Sequence, residues 1–495
     1  LGIVARLSRI PTMASFDFGD RPMLIGGEMT WGDSGQWVPS VNPSTEEPIG
    51  RVPAASAADV GRAAEAALKA QPAWAALTIW ERGTLLKQVA AAFRTKAEEI
   101  RVMEAADSGN TIGNLGNDLF KASNHFEYFA GIASEMKGET MPALSSGLHM
   151  TLREPYGVVG RIVPFNHPFM FATANLAAPL VAGNTVVLKS PETSPLSATI
   201  MAEACRDILP AGVVNLVSGY GLPAGDAIAR HPAIRRIGFT GSIRTGLAIQ
   251  RAAAESCVKH ITLELGGKNP LVIFRDADVD KAADAAVTGM NFAWAGQSCG
   301  STSRILAHES VYDAVIEALA ARLKAIRVGD ASDPGSQMGP LNSADHHRRV
   351  TAIVETGKTE ARLVLGGGRP QGAGFDKGYW LAPTLFADVT PDMVIGQEEV
   401  FGPVMTVMKW STVEEMVRIA NSTEYGLTAA VFTNDITAAL TAARRIQAGV
   451  VNINGSRMHF VGAPFGGVKN SGLGGEEALE ELLSYTHAKS VHITL

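Results

Sequence analysis

The stretch WAGQSCGSTSR, Trp294 to Arg304, sets Cys299 among Gly296, Ser298, Gly300 and Ser301, with no second cysteine or histidine nearby. Small neighbours leave room around a sulfur and free the backbone N–H groups. A thiolate attacking a carbonyl needs both, because the carbonyl oxygen turns negative and wants donors. The bland alternative is a buried structural thiol, the usual fate of a lone cysteine. In VPFNHP, Asn166 stands between Pro164 and Pro168. The fixed φ of the prolines steadies the chain, so the amide can serve as a second oxyanion donor; a plain turn asparagine is the competing reading. In ITLELGGKNP, Glu264 ends an apolar run ahead of two glycines. A carboxylate there is paired with a nearby cation, mobile, or kept as a base with a raised pKa.

Two further stretches suit a cofactor. VVLKSPE carries Lys189 and Glu192 at the end of a strand-like run, and FTGSIRTG places Gly241 and Gly246 at a strand-to-helix turn. A helix N-terminus there suits a phosphate. The spacing is not GxGxxG, and GxxxxG alone is a weak pattern.

The elements that must position these residues follow from periodicity. Residues 56–136 read mostly as helix, opened by Ser56 as an N-cap. From Val158 to Leu265 short apolar runs alternate with helical stretches: GVVGRIVP, TVVLKSP, VVNLVSG, IRRIGFTG and HITLELGG are the strands. Such alternation means βαβ units and a parallel sheet. A second α/β series begins after Gly267. There VDKAADAAVTGMNFAWAG reads as a helix that delivers Cys299 just beyond its end. VYDAVIEALAARLKAI puts Val311, Val315, Leu319, Leu323 and Ile326 on one face. GGGRPQGAGFDKGYW reads as a surface loop or hairpin. The tail AKSVHITL is a short β run, and an exposed terminal strand is usually paired, often with another subunit.

Composition bounds the function classes. The chain has 495 residues, 46% apolar and 19% charged, with a net charge of −6. That is ordinary for a globular protein of two or three domains. It favours neither nucleic acid nor a membrane as partner. Cys205, Cys257 and Cys299 are widely spaced, which argues against a disulfide framework and against a metal site. A reducing compartment fits, the cytoplasm ahead of the mitochondrial matrix. Residues 1–12 precede Met13 and read as an upstream remnant or leader, with a piece of transit peptide as the rival.

Taken together, the motifs VPFNHP, VVLKSPETSPLSA, FTGSIRTG, LELGGKNP, GQSCGS, EEVFGPV and PFGGVKNSGLGGE resemble, in this order, the aldehyde dehydrogenase superfamily of NAD(P)-dependent enzymes. The resemblance spans Asp20 to Leu495 and points to the hydrolytic, non-acylating type. It implies that Cys299 is the nucleophile, that Asn166 and the backbone N–H of Cys299 form the oxyanion hole, and that Glu264 is the general base. Glu476 becomes the second acid assisting water or proton movement. Lys189 and Glu192 would meet the adenosine ribose and Ser242, after Gly241, the pyrophosphate. Glu399 and Phe401 would position the nicotinamide ribose and ring, with Thr240, Leu265 and Phe165 beside them. His167, Phe171, Trp294, His459 and Phe460 align with substrate-pocket positions, which suggests a hydrophobic or aromatic aldehyde. Two departures stand out: Phe165 replaces a frequent Trp, and Asn175 stands where many relatives carry Lys.

The resemblance also sets expectations for architecture. The fold class is α/β, with two doubly wound parallel-sheet domains and a small β extension. Residues 13–137 and 159–264 would form the NAD-binding domain and 265–479 the catalytic domain. Residues 138–158 and 480–495 would form an extension for a homodimer or homotetramer. Glu192 favours NAD over NADP, since a carboxylate bonds ribose hydroxyls and repels a 2′-phosphate. Glu264 favours water as acyl acceptor over CoA, as in acylating relatives. A non-catalytic binding or structural relative should have lost Cys299, Asn166 or Glu264, and all three are present.

Overall fold

A computed structural model of the chain describes residues 16–141 and 147–494. The leader read at 1–12 lies outside the described residues. Two large sheets, each flanked by helices, carry the molecule, with a small three-stranded sheet beside them. The expected α/β class with a β extension is what the chain adopts.

The first sheet has eight strands. Val158–Ile162, Thr185–Lys189 and Val214–Val217 are buried at every position, as strands covered by helices on both faces must be. They run parallel to one another and to Ile234–Thr240 and His260–Glu264. The helices Pro168–Val181, Ser197–Ile208 and Ile243–Ala254 make crossovers between them. Successive strands add outward from Val158–Ile162 until Val214–Val217. The chain then returns to place Ile234–Thr240 on the other side of Val158–Ile162. That reversal is a topological switch point, where open α/β sheets leave a crevice beyond their carboxyl ends. Asn166 follows one of the two flanking strands, and Thr240 ends the other.

The second sheet has seven strands, in the order Arg362–Leu365, Thr384–Ala387, Val404–Trp410, Arg304–His308, Pro270–Ile273, Thr428–Phe432, Val450–Ile453. Only the edge strand Arg362–Leu365 is antiparallel. Tyr312–Lys324 is the helix expected there, with Val315, Leu319 and Leu323 buried. Residues 366–380 form the expected loop. The helix leading toward Cys299 is shorter than expected. It spans Val279–Gly289, and Asn291 (φ 59°) and Ala295 (φ 51°) then take left-handed turns around a single 3-10 turn. Apolar periodicity continues past Gly289, but the left-handed residues break the helix.

The two sheets are tied by one short strand. Gly472–Leu473 follows the second sheet in the chain yet pairs antiparallel with Leu263 and Glu264 of the first. Buried Ser471 reinforces the joint: its hydroxyl donates to the Gly266 carbonyl at 2.6 Å and accepts from the Gly426 N–H at 2.8 Å.

Among the helices of the amino-terminal part, Ala57–Ala76 opens with a capping box. The Ser56 hydroxyl accepts from the Asp59 N–H at 3.1 Å, and the Asp59 carboxylate accepts from the Ser56 N–H at 2.8 Å. The tail strand Thr486–Thr494 pairs antiparallel with Gly147–Pro155, from Thr486 opposite Pro155 to Thr494 opposite Gly147. Its partner therefore lies within the chain, and Thr140–Met141 completes that sheet. Among the described residues no helix is long and apolar enough to cross a membrane.

Candidate functional site

The cysteine loop is held by side chains from both sheets. Gly289 ends the helix before it, and Gly296 (φ 70°) lies so close to the Gly402 carbonyl that a Cβ would overlap it. Gly267 lies equally close to the Cys299 carbonyl. Gly267 thus admits the loop against the strand end, while Gly266 makes room for the Glu399 carboxylate. Asn269 fastens it: its amide donates to the carbonyls of Cys299 at 2.7 Å and Ser301 at 2.9 Å.

Asn166 reaches the same loop. Its Nδ2 donates to the Gln297 carbonyl at 2.9 Å, and its own carbonyl accepts from Asn110 Nδ2 at 2.8 Å. The amide is buried, and one of its two N–H groups remains for another acceptor. Gln297 is braced in turn, since its Oε1 accepts from the Asn342 N–H at 3.0 Å.

Burial dominates the electrostatics. It pushes the Cys299 thiol up to about 12, and the carboxylates of Glu399 and Glu264 push the same way. Both oxygens of Glu264 are buried without a partner. Its carboxyl is held well above the ordinary range by burial, then by the charges of Glu476, Glu481 and Glu477, with Arg161 opposing. Of the readings open for Glu264, the salt bridge is not what the structure holds. Glu476 instead pairs with buried Arg161, Oε1 to Nη2 at 2.8 Å. Burial also pushes Glu481 up to about 8, with the Glu476 charge adding to it.

Of the residues expected on the cofactor side, Lys189, Thr240, Ser242 and Leu265 lie at or just beyond the carboxyl ends of the first sheet, and Glu399 and Phe401 come from the segment before Val404–Trp410. Lys189 ends its strand, and its buried ammonium donates to the Ser190 carbonyl at 2.9 Å and to Glu192 at 3.2 Å. The Glu192 side chain is 44% exposed. Thr240 sits opposite Glu264 in the parallel register, and its buried hydroxyl has no partner. The Gly241 N–H donates to the Glu264 carbonyl at 3.0 Å. Ser242 caps Ile243–Ala254, accepting from the Thr245 N–H at 3.3 Å. Leu265 packs against Gly246 at the start of that helix. Glu399 accepts from the Gly267 N–H at 2.8 Å, and burial pushes it up to about 7. Phe401, at φ 56°, packs edge-on to Phe165 with ring centroids 5.8 Å apart.

The substrate-side residues divide into groups. His167 and Trp294 both engage Asp118: His167 Nδ1 lies 2.8 Å from Oδ2, and the indole N–H donates to the same oxygen at 3.3 Å. Their rings are 4.9 Å apart, and Phe171 lies 5.9 Å from His167. His459 stacks on Phe465 at 4.7 Å and pairs with Glu477 at 3.2 Å. Phe460 stands apart from these contacts, 77% exposed.

Sequence reasoning missed several participants. Asp118 lies in a helix far from any motif, and no local signal marks it. Asn269 was inside LELGGKNP, where its amide could have been noticed. His346 donates its Nε2–H to the Phe401 carbonyl at 2.7 Å, and burial pushes it down to about 4, so it is neutral. Arg161 was read only as a strand residue. Among the described residues no three His, Cys, Asp or Glu side chains gather to hold a metal ion.

Comparison with known proteins gives one answer. The model of the aldehyde dehydrogenase family matches residues 30–491. The aldehyde dehydrogenase tropH of Talaromyces stipitatus is 44% identical over 464 residues, covering 92% of this chain and 90% of the relative. The hydroxyisobutyraldehyde dehydrogenase of Mycolicibacterium austroafricanum is 40% identical, over 96% and 94% of the two chains. The solved NAD+ complex of an aldehyde dehydrogenase from Bacillus cereus superposes with a TM-score of 0.93 at 37% identity, over 96% and 97%.

Proposed function

The chain belongs to the aldehyde dehydrogenase family of enzymes, and from that premise we propose that it oxidises an aldehyde to a carboxylic acid with NAD, through a thioester on Cys299 that water cleaves. The observation that carries this reading is the joint between Asn166 and the cysteine loop. The amide donor is hydrogen-bonded to the stretch of backbone that carries the thiol, which supports capture of a carbonyl between them.

The residues fit a dinucleotide. The unpartnered Thr240 hydroxyl, the capped helix at Ser242 and the half-exposed Glu192 beside Lys189 follow the carboxyl ends of strands on either side of Val158–Ile162, which supports this reading. Bound there, the nicotinamide supplies the two-electron acceptor. The protein does the rest. Sγ of Cys299 adds to the aldehyde carbon, and the free N–H of Asn166 with the Cys299 backbone N–H receives the oxyanion. Collapse of that alkoxide breaks the aldehyde C–H bond, the hydride would pass to the bound acceptor, and the acyl group stays on sulfur. Glu264 then takes a proton from water, hydroxide adds to the thioester carbon, and the C–S bond breaks to return the thiolate. Glu264 makes water the acceptor ahead of CoA, and Glu192 supports NAD ahead of NADP.

Phe171, Trp294 and Phe465 make the substrate side largely aromatic, which supports a hydrophobic or aromatic aldehyde, with His167 and His459 as polar contacts. Residues 13–137 with 159–264 form the cofactor domain in this reading, and 265–479 the catalytic domain. The extension of 138–158 and 480–495, whose described strands are Thr140–Met141, Gly147–Pro155 and Thr486–Thr494, is in this reading the surface for a homodimer or homotetramer. Three free cysteines agree with a reducing compartment such as the cytoplasm.

The test is NADH absorbance against a panel of aldehydes, with and without CoA, and with Cys299→Ala as control. Aldehyde-dependent NADH formation without CoA, absent in Cys299→Ala, is expected. An intact protein inert to every aldehyde, or one needing CoA, would sink the reading.

A further inference from the structure

Arg161 occupies the middle of Val158–Ile162 and is fully buried. A cation in a sheet interior is strongly unfavourable unless it is paired and hydrogen-bonded. Both terminal nitrogens are answered: Nη1 donates to the Tyr485 hydroxyl at 2.9 Å and Nη2 to Glu476 Oε1 at 2.8 Å. Space for the guanidinium comes from the next strand. Gly238 is its register partner there, and a Cβ at that position would overlap Nη1. Tyr485 is fixed in its turn. Arg236 lies 4.1 Å over its ring while donating to Thr262 and Ser484 hydroxyls at 2.8 Å.

The charges of Glu476 and Arg161 both act on Glu264. Gly466 touches both sides: a Cβ there would sit 3.2 Å from Glu264 Oε1 and 3.1 Å from the Cα of Gly475, the residue before Glu476. Phe465 and Glu476 exchange backbone hydrogen bonds at 2.9 and 2.7 Å. The charged and titratable groups around Glu476 are Glu264, Arg161, Arg236, Glu477, Glu481 and Tyr485. Of the carboxyls, Glu264 has no cation in contact, and Glu476 has one.

We propose that Arg161 is the positioning residue of the water-activating step, holding Glu476 as an oriented anion that receives the proton Glu264 must release. The inference rests on the aldehyde-oxidising reading above. A buried carboxyl without a counter-ion keeps its proton, so Glu264 is a competent base only once that proton has left. The Arg161-paired carboxylate is the neighbouring site that can accept it. Atoms balance: water gives a proton to Glu264 and hydroxide to the thioester carbon, the proton passes to Glu476 and on to solvent, and the thiolate departs. Without Arg161 the proton acceptor loses its counter-ion and its orientation, and hydrolysis waits for higher pH.

The experiment is the pH profile of kcat together with the pre-steady-state NADH burst, on the full-length enzyme. In Arg161→Gln the burst survives, while the acid limb of kcat moves to higher pH by about one unit or more. In a Glu476→Gln background the same substitution moves nothing further. Arg161→Lys keeps the charge and leaves the limb within about half a unit of its original place. A uniform fall in kcat with an unmoved limb overturns the proposal, as does an equal shift in the Glu476→Gln background. If Arg161→Gln does not fold, Arg161→Lys and Glu476→Gln decide. A limb displaced by Lys, or a Glu476→Gln enzyme with undiminished kcat, overturns it. An unsubstituted enzyme without a burst on any aldehyde would instead count against aldehyde oxidation itself.

Discussion

Asn166 donates one amide hydrogen to the carbonyl of Gln297 at 2.9 Å, two residues ahead of Cys299. The bond fixes the direction of the second hydrogen, which is the one offered to an oxyanion. Asn166→Ala is expected to lower kcat roughly 10²- to 10³-fold, about 3 kcal/mol of transition-state stabilisation. Steady-state kinetics check this, and an unchanged kcat would remove Asn166 from the oxyanion hole.

The Cys299 thiol, pushed up to about 12 by burial and two carboxylates, should be slow to alkylate in the ligand-free enzyme. Its iodoacetamide rate rises about tenfold per pH unit across the neutral and mildly alkaline range. Adding NAD accelerates the reaction at fixed pH, because a cationic ring near the sulfur favours the thiolate. A flat profile between pH 6 and 9, about what a freely ionised thiolate gives, would contradict this.

Glu264→Gln leaves the NADH burst intact and slows the steady state by about 10²- to 10⁴-fold, the usual worth of a general base. Because the carboxyl is raised in the folded state, kcat of the unsubstituted enzyme falls as pH drops through a range above that of ordinary carboxylates. Equal loss of burst and turnover would move Glu264 out of the hydrolytic step.

Stability should decline with rising pH. Glu104 accepts from the Phe169 N–H and the Ser197 hydroxyl, both at 2.7 Å, yet burial pushes it up to about 8. Asp107 is pushed up to about 7 for the same reason. A carboxyl raised in the folded state binds more protons folded than unfolded. Its contribution is therefore complete below the unfolded pKa near 4 and is lost as pH climbs through 7 to 8. Thermal unfolding of ligand-free enzyme should give a lower Tm at about pH 8.5 than at pH 6, about the limits of that window. Glu104→Gln should flatten the slope.

Glu192→Ser should raise kcat/KM for NADP relative to NAD by about tenfold or more, since a carboxylate close to a 2′-phosphate repels it. Because Glu192 is the carboxylate partner of the buried Lys189 ammonium, the same substitution should also lower Tm. An unaltered cofactor ratio would show that Glu192 does not face the ribose.

The pattern of apolar runs was enough for the parallel strands of the first sheet from Val158 to Glu264, because strands buried on two faces read as continuous Val, Leu and Ile, whereas Arg304–His308, Thr384–Ala387 and Val404–Trp410 of the second carry no such local mark. Ser56 announced its helix start for a similarly local reason. Other features depend on contacts that sequence distance hides. Arg161 looks like one residue of a strand until Gly238 and Glu476 are seen around it. Asp118 joins His167 and Trp294 from a helix of its own. The helix before Cys299 was overextended because periodicity does not register the left-handed backbone at Asn291 and Ala295. Phe460 carries the right chemistry for an aromatic pocket, yet it is solvent-facing in the chain.

Ser471 and the short strand beside it have a mechanical consequence. Residues 471–473 fasten the segment that bears Glu264 to the neighbouring sheet through Gly266, Gly426, Leu263 and Leu265. Swinging the two halves apart like a clamshell would rupture that rivet and drag the base away from its sulfur. Reactants are therefore expected to enter and leave by sliding along fixed walls, so turnover need not wait on jaw-like breathing.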